Sequence, residues 1–128
     1  MASDSSGKKT KSGIGFRYAW NGIRWTFQKE RNFRIHTVAA VLAIIAGIFF
    51  RIETAEWTAV LLSIGFVIAT EMINTVIELM MDHLSPERSE TAGLIKDIAA
   101  GAVLIAAITA VLVGLTVFVP EIISVWKE

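Results

Sequence analysis

The sequence predicts an all-α membrane protein, with an amphipathic helix lying on the membrane surface followed by three helices that cross the bilayer. Three observations carry that reading. Hydrophobic residues make up 54% of 128 positions and the mean hydropathy is +0.59, too apolar for a small soluble domain. Three apolar stretches approach or exceed the length of a span, and an aromatic and arginine-striped segment precedes them. Zero Cys excludes a disulfide framework, a thiolate metal site and cysteine catalysis, and two isolated His make a zinc site improbable.

In chain order, residues 1–13 are polar and rich in Ser, Gly and Lys, which reads as a disordered basic tail without a cleavable signal. Gly7-Lys8-Lys9-Thr10 resembles the end of a phosphate loop only superficially, because the upstream Gly and preceding strand are missing. Residues 14–128 form a single domain. Over 14–32, Phe16, Trp20, Ile23 and Phe27 share one helical face while Arg17, Asn21, Arg24, Gln28 and Arg31 share a neighbouring one, as expected for a helix in the membrane interface. Glu30 falls on the edge of the aromatic face, where an acid needs a partner.

Three spans follow, over about 33–51, 57–81 and 98–119, the last ended by Pro120. Residues 1–51 hold nine basic and two acidic side chains, against three and ten in 52–128, so the zero net charge hides an asymmetry. Basic residues from Lys8 to Arg34 lie ahead of the first span, with only Arg51 in the next connection. That bias puts the N-terminus and the 82–97 connection in the cytoplasm. Ala39, Ala43 and Gly47, and then Ala102, Ala106, Ala110 and Gly114, recur every four positions and allow close helix packing.

The chemistry lies in the second span. Glu71, Asn74, Glu78 and Asp82 fall within an arc of roughly 80° on one helical face. A charge in hydrocarbon costs on the order of 3 kcal/mol, so this stripe needs a reason, and a hydrogen-bond clamp between helices would be served by one Asn or Ser. Glu71, flanked by Ala69, Met72 and Ile73, is suited to take a proton from an alcohol at the membrane boundary. Glu78 and Asp82 lie nearer water. These two carboxylates with the stray Glu30 could hold a hard divalent cation, and magnesium uses one or two carboxylates together with phosphate oxygens. Lys96 and Asp97 just before the third span suit a phosphate site at a helix N-terminus, and the same spacing suits Lys96 snorkelling to the headgroups.

The run Glu71-Met-Ile-Asn-Thr-Val-Ile-Glu78-Leu-Met-Met-Asp82, with Lys96-Asp-Ile-Ala-Ala-Gly-Ala-Val-Leu104, Ala19-Trp-Asn-Gly-Ile-Arg24 and Glu30-Arg-Asn-Phe-Arg-Ile-His36, resembles the small bacterial lipid kinases, which comprise diacylglycerol kinase and undecaprenol kinase. The resemblance covers about residues 14 to 119. It implies a homotrimer in the bacterial cytoplasmic membrane, with active sites shared between neighbouring chains, and ATP, Mg2+ and a lipid alcohol as partners rather than nucleic acid. On that resemblance Glu71 is the general base, assisted by Asn74, and Glu30 and Glu78 hold the magnesium of ATP. Lys96 and Asp97 contact the nucleotide, Tyr18 and Glu87 are weaker nucleotide neighbours, and Arg24, Arg34 and Asp82 support the site. Lys11 stands where diacylglycerol-specific members have Arg. Asn32-Phe-Arg-Ile-His36 and Lys96-Asp-Ile-Ala-Ala-Gly look more like the undecaprenol branch, and the expected reaction is phosphorylation of undecaprenol, or alternatively of diacylglycerol. A transporter subunit, where intramembrane Glu is also functional, has no need for Glu30, Lys96 and Asp97 at the boundary.

Overall fold

The structure, a computed structural model, describes residues 13–128, which form four helices. They are α1 (Gly13–Lys29), α2 (Arg31–Phe50), α3 (Thr54–Leu84) and α4 (Glu90–Trp126). The tail expected over 1–13, Lys11 included, lies outside the described residues except for Gly13, which opens α1. α2, α3 and α4 are each long and apolar enough to cross a membrane. Most of their large apolar side chains, Leu62, Leu104 and Ile105 among them, remain exposed on the single chain. A surface of that kind belongs in lipid or against other helices.

The expected helix over 14–32 stops at Lys29, because Glu30 adopts an extended backbone (φ −100°, ψ 114°) and serves as the N-cap of α2. Its carboxylate makes no capping bond, so the break turns the chain while leaving that acid unused. Arg34 stabilises the corner by donating from Nη1 to the carbonyls of Phe27 and Gln28, at 3.1 and 2.9 Å, two of the acceptors that a helix C-terminus leaves open. Thr26 is buried here, and its hydroxyl donates to the Gly22 carbonyl.

α2 and α3 form a hairpin. Arg51 closes α2 in the left-handed region (φ 53°), and Ile52 N–H returns to the Gly47 carbonyl, 3.2 Å away. Glu53 then starts α3 through a capping box with Glu56. α4 packs most extensively on α3, beginning at Ser89, whose hydroxyl accepts from Ala92 N–H. It runs through Pro120 to Trp126, past the end that the proline suggested. A proline in a membrane helix is tolerated when neighbouring groups take up the freed carbonyl.

The tightest packing sits at the α2–α3 turn end, where Ile52, Val60 and Val117 meet Phe50, Trp57, Ile64 and Phe118. Gly47 permits it: a Cβ there would lie 2.7 Å from Trp57 Cη2 and 2.9 Å from Cζ2. Replacing a helical Gly by Ala ordinarily gains about 1 kcal/mol, whereas forcing atoms into packed space costs about 1–3 kcal/mol. Gly47→Ala is therefore expected to lower the thermal midpoint of the protein in detergent micelles. An unchanged or raised midpoint would show that the Trp57 ring yields freely.

Candidate active site

About 16 Å along α3 from that core, by the rise of 1.5 Å per residue, the helix turns polar. Glu71, Asn74 and Thr75 are buried, and Glu71 is only 2% exposed. The helical period puts them there: the positions between them, Ile73 and Val76, point outward and are exposed. Asn74 Nδ2 donates to Glu78 Oε1 at 3.2 Å, which fixes the amide and leaves Asn74 Oδ1 buried without a partner. Thr75 spends its hydroxyl on the Glu71 carbonyl. The stripe read from the sequence is thus one connected face, from enclosed Glu71 through half-buried Glu78 to exposed Asp82.

Other elements bring ionisable groups to Glu71. The α1–α2 break brings half-buried Glu30 near enough for its charge, like that of Glu78, to oppose a charge on the Glu71 carboxyl. His36, one and a half turns into α2, places Nε2 3.8 Å from Glu71 Oε2. Sequence reasoning gave His36 no role. Its signal was present, since an imidazole at the polar start of an apolar helix is an unusual choice, but nothing in the spacing pairs α2 with α3.

Three acids therefore converge with no Lys or Arg within ion-pair distance of any of them among the described residues. Neither do the described residues close a cage of three or more metal-ligating groups. Magnesium, which takes one or two carboxylates and completes its shell with phosphate oxygens and water, would need no such cage.

The second group of expected residues lies at the α3–α4 connection. Lys96 Nζ donates to Asp82 Oδ1, joining the end of the stripe to α4. The expectation that Lys96 and Asp97 flank a helix N-terminus is corrected: α4 begins at Glu90, so both lie nearly two turns inside it. A carboxylate partner, rather than helix-end N–H groups, positions Lys96. An open cleft of about 420 Å³ lies here, bounded by Asp82, Ser85, Glu87, Arg88, Ser89 and Lys96. Asp97 faces outward from α4, and Tyr18 and Arg24 are exposed on α1, apart from both groups. Arg34 acts through the α1 carbonyls that it caps and so steadies the corner carrying Glu30.

On the other side of His36 an apolar cavity of about 270 Å³ runs between α2, α3 and α4. The small-residue stripes make it: Ala39 and Ala43 of α2 face Ala110 and Gly114 of α4, with Val67 between them and Ser63 and His36 as its polar members.

A family model described as prokaryotic diacylglycerol kinase matches residues 17–118. A diacylglycerol kinase of Synechocystis sp. is 39% identical over 112 residues, covering 87% of this chain and 64% of the relative's own length. The undecaprenol kinase of Bacillus subtilis is 36% identical over 107 residues, 84% of this chain and 87% of that protein. A diacylglycerol kinase of Escherichia coli is 33% identical over 95 residues, 74% and 78% of the two chains.

Arg34→Ala removes both bonds that tie α1 to α2, a loss of about 1 kcal/mol for partly exposed hydrogen bonds. Backbone amides over the last turn of α1 should then exchange with solvent about fivefold faster. Exchange unchanged across residues 26–29 would mean that α1 is held by other contacts.

Proposed function

The chain belongs to the prokaryotic diacylglycerol kinase family, a family of lipid kinases, and we propose that it transfers the γ-phosphate of ATP to a membrane lipid alcohol, with undecaprenol as its acceptor. The observation that carries this reading is an enclosed carboxylate, Glu71, at the deep end of a polar face that leads to the α3–α4 connection. Lipid hydroxyls sit at the headgroup level while ATP comes from water, so such a face joins the two substrates.

Phosphoryl transfer asks for positioning and charge neutralisation rather than covalent chemistry from the protein. Glu71 orients the lipid hydroxyl and takes its proton as the oxygen bonds to the γ-phosphorus and the bond to ADP breaks. Asn74 holds Glu78 in place through its amide. Glu30 and Glu78 would hold magnesium together with the phosphates of ATP, where the ion supplies neutralisation of their charge. Lys96, steered by Asp82, reaches the phosphates from α4, and Asp97, Glu87 and Tyr18 contact the nucleotide less closely.

The acceptor assignment rests on the apolar cavity that His36 lines. Diacylglycerol carries two ester carbonyls that reward donors, whereas a polyprenol offers a bare hydroxyl and a chain, and the Ala, Val and Gly lining suits the latter. Diacylglycerol, which names the Synechocystis and Escherichia coli relatives, is the second reading.

The exposed aromatics Phe16 and Trp20 support α1 as an interfacial helix, and the basic bias of the N-terminal third supports a cytoplasmic site in the bacterial inner membrane. The assembly is a homotrimer with shared sites, supported by the extent of apolar surface left uncovered on one chain.

Purified protein in mixed lipids with labelled ATP and Mg2+ tests the class: label appears in the lipid fraction. Glu71→Gln keeps the shape and loses the proton acceptor, so activity is expected to fall about a hundredfold or more with insertion intact. Near-normal turnover in that variant removes Glu71 from the mechanism. With undecaprenol and diacylglycerol competing at equal mole fraction, kcat/KM should favour undecaprenol by about tenfold, the scale a mainly apolar pocket achieves. Preferential labelling of diacylglycerol would reverse the assignment.

A further inference from the structure

We propose that His36 is the second group that holds the acceptor hydroxyl, so that the lipid oxygen is bound between His36 Nε2 and Glu71 Oε2. The inference rests on the lipid kinase reading above and adds to it a residue with no assigned part in the reaction.

The gap itself is the first observation. At 3.8 Å the two atoms are too far apart for a direct hydrogen bond, whose N···O distance is about 2.7–3.2 Å. Both atoms are nevertheless within hydrogen-bond reach of a single oxygen placed beside the line that joins them. Neither side chain has another hydrogen-bond partner among the described residues.

The chemistry of the pair then selects what fits. A carboxylate only accepts, and an imidazole carrying its proton on Nε2 donates from that atom. The group between them must donate on one side and accept on the other. An ammonium would satisfy Glu71 and oppose His36; a carboxylate would do the reverse. A hydroxyl satisfies both, giving its hydrogen to Glu71 and one lone pair to His36, with its second lone pair free for phosphorus. In the transfer step the O–H proton passes to Glu71, the oxygen bonds to the γ-phosphorus, the bond to ADP breaks, and His36 keeps its proton throughout.

The cavity supplies an independent direction. His36 is 24% exposed at the side chain and is one of the two polar members of the apolar lining, whereas Glu71 lies outside that lining. A hydroxyl seated at His36 therefore continues into a slot bounded by Ala39, Ala43, Val67, Ala110 and Gly114. One residue thus touches the reacting oxygen on one side and the path of its hydrocarbon chain on the other. This also gives the site a means of choosing a hydroxyl over an amine or an acid at the same depth.

The test uses the full chain in phosphatidylcholine nanodiscs containing undecaprenol. His36→Phe keeps the ring and loses the donor, whereas His36→Gln keeps an N–H at a similar reach. We expect His36→Phe to lower kcat/KM for undecaprenol by about tenfold or more, with KM for ATP unchanged and with His36→Gln recovering most of the loss. In the 15N-histidine-labelled wild-type chain without ATP, adding undecaprenol should move the His36 Nε2 resonance. This last measurement stands even where the Phe variant fails to assemble. An unaltered kcat/KM in His36→Phe, or equal impairment of both variants with an unmoved resonance, overturns the proposal while the kinase reading stands. A wild-type chain that phosphorylates no lipid alcohol overturns both.

Discussion

The burial of one carboxylate in an apolar helix is the constraint around which the rest of the structure is arranged. An ionised group deprived of water is costly unless other polar groups stand in for it, and nothing on α3 alone can do so completely for Glu71. Of its neighbours only His36 can offset that charge, while Glu78 and Glu30 carry the same sign and add to the cost. The start of α2, steadied by Arg34 across the helix break, is what carries His36 to within 3.8 Å of that carboxylate.

A second consequence is the division of labour along the bundle. At the turn end, aromatic and branched side chains fill the space between α2, α3 and α4. In the middle, alanine and glycine on facing helices leave that space open. At the polar end the helices are joined by a charged pair, Lys96 with Asp82. Packing, vacancy and charge follow one another along about 30 Å of α3, which is the thickness of a bilayer core.

Much of this was legible in the sequence, for identifiable reasons. The polar stripe could be read because an α-helix has a fixed period and because acids are rare in hydrocarbon, so Glu71, Asn74, Glu78 and Asp82 stand out together. The spans were visible from their length and lack of charge. The ends of helices were less so. Lys96 and Asp97 precede the most apolar stretch, which suggests a helix start, but α4 begins at Glu90, capped by Ser89, because a side-chain cap and not hydropathy decides where the backbone bonds begin. Pro120 was read as a stop, and the helix passes through it. His36 went unassigned since its importance is a contact between two helices, which no single-helix pattern contains.

The distance between the packed end and the polar end has a consequence for how such a chain can change over generations. Residues separated by more than about 10 Å with no shared partners contribute to stability almost independently. Val60 and Glu71 lie about 16 Å apart on one helix, with a cavity in place of a continuous core beside them. Substitutions around Trp57 and Gly47 can therefore raise or lower the hold of the bundle without re-aiming the carboxylates, whereas Val60, Ile64 and Phe118 line the cavity as well as the packed end, so a reshaped lipid slot also touches the fold. Chemistry is inherited apart from robustness in one short chain, and the choice of lipid is tied to both.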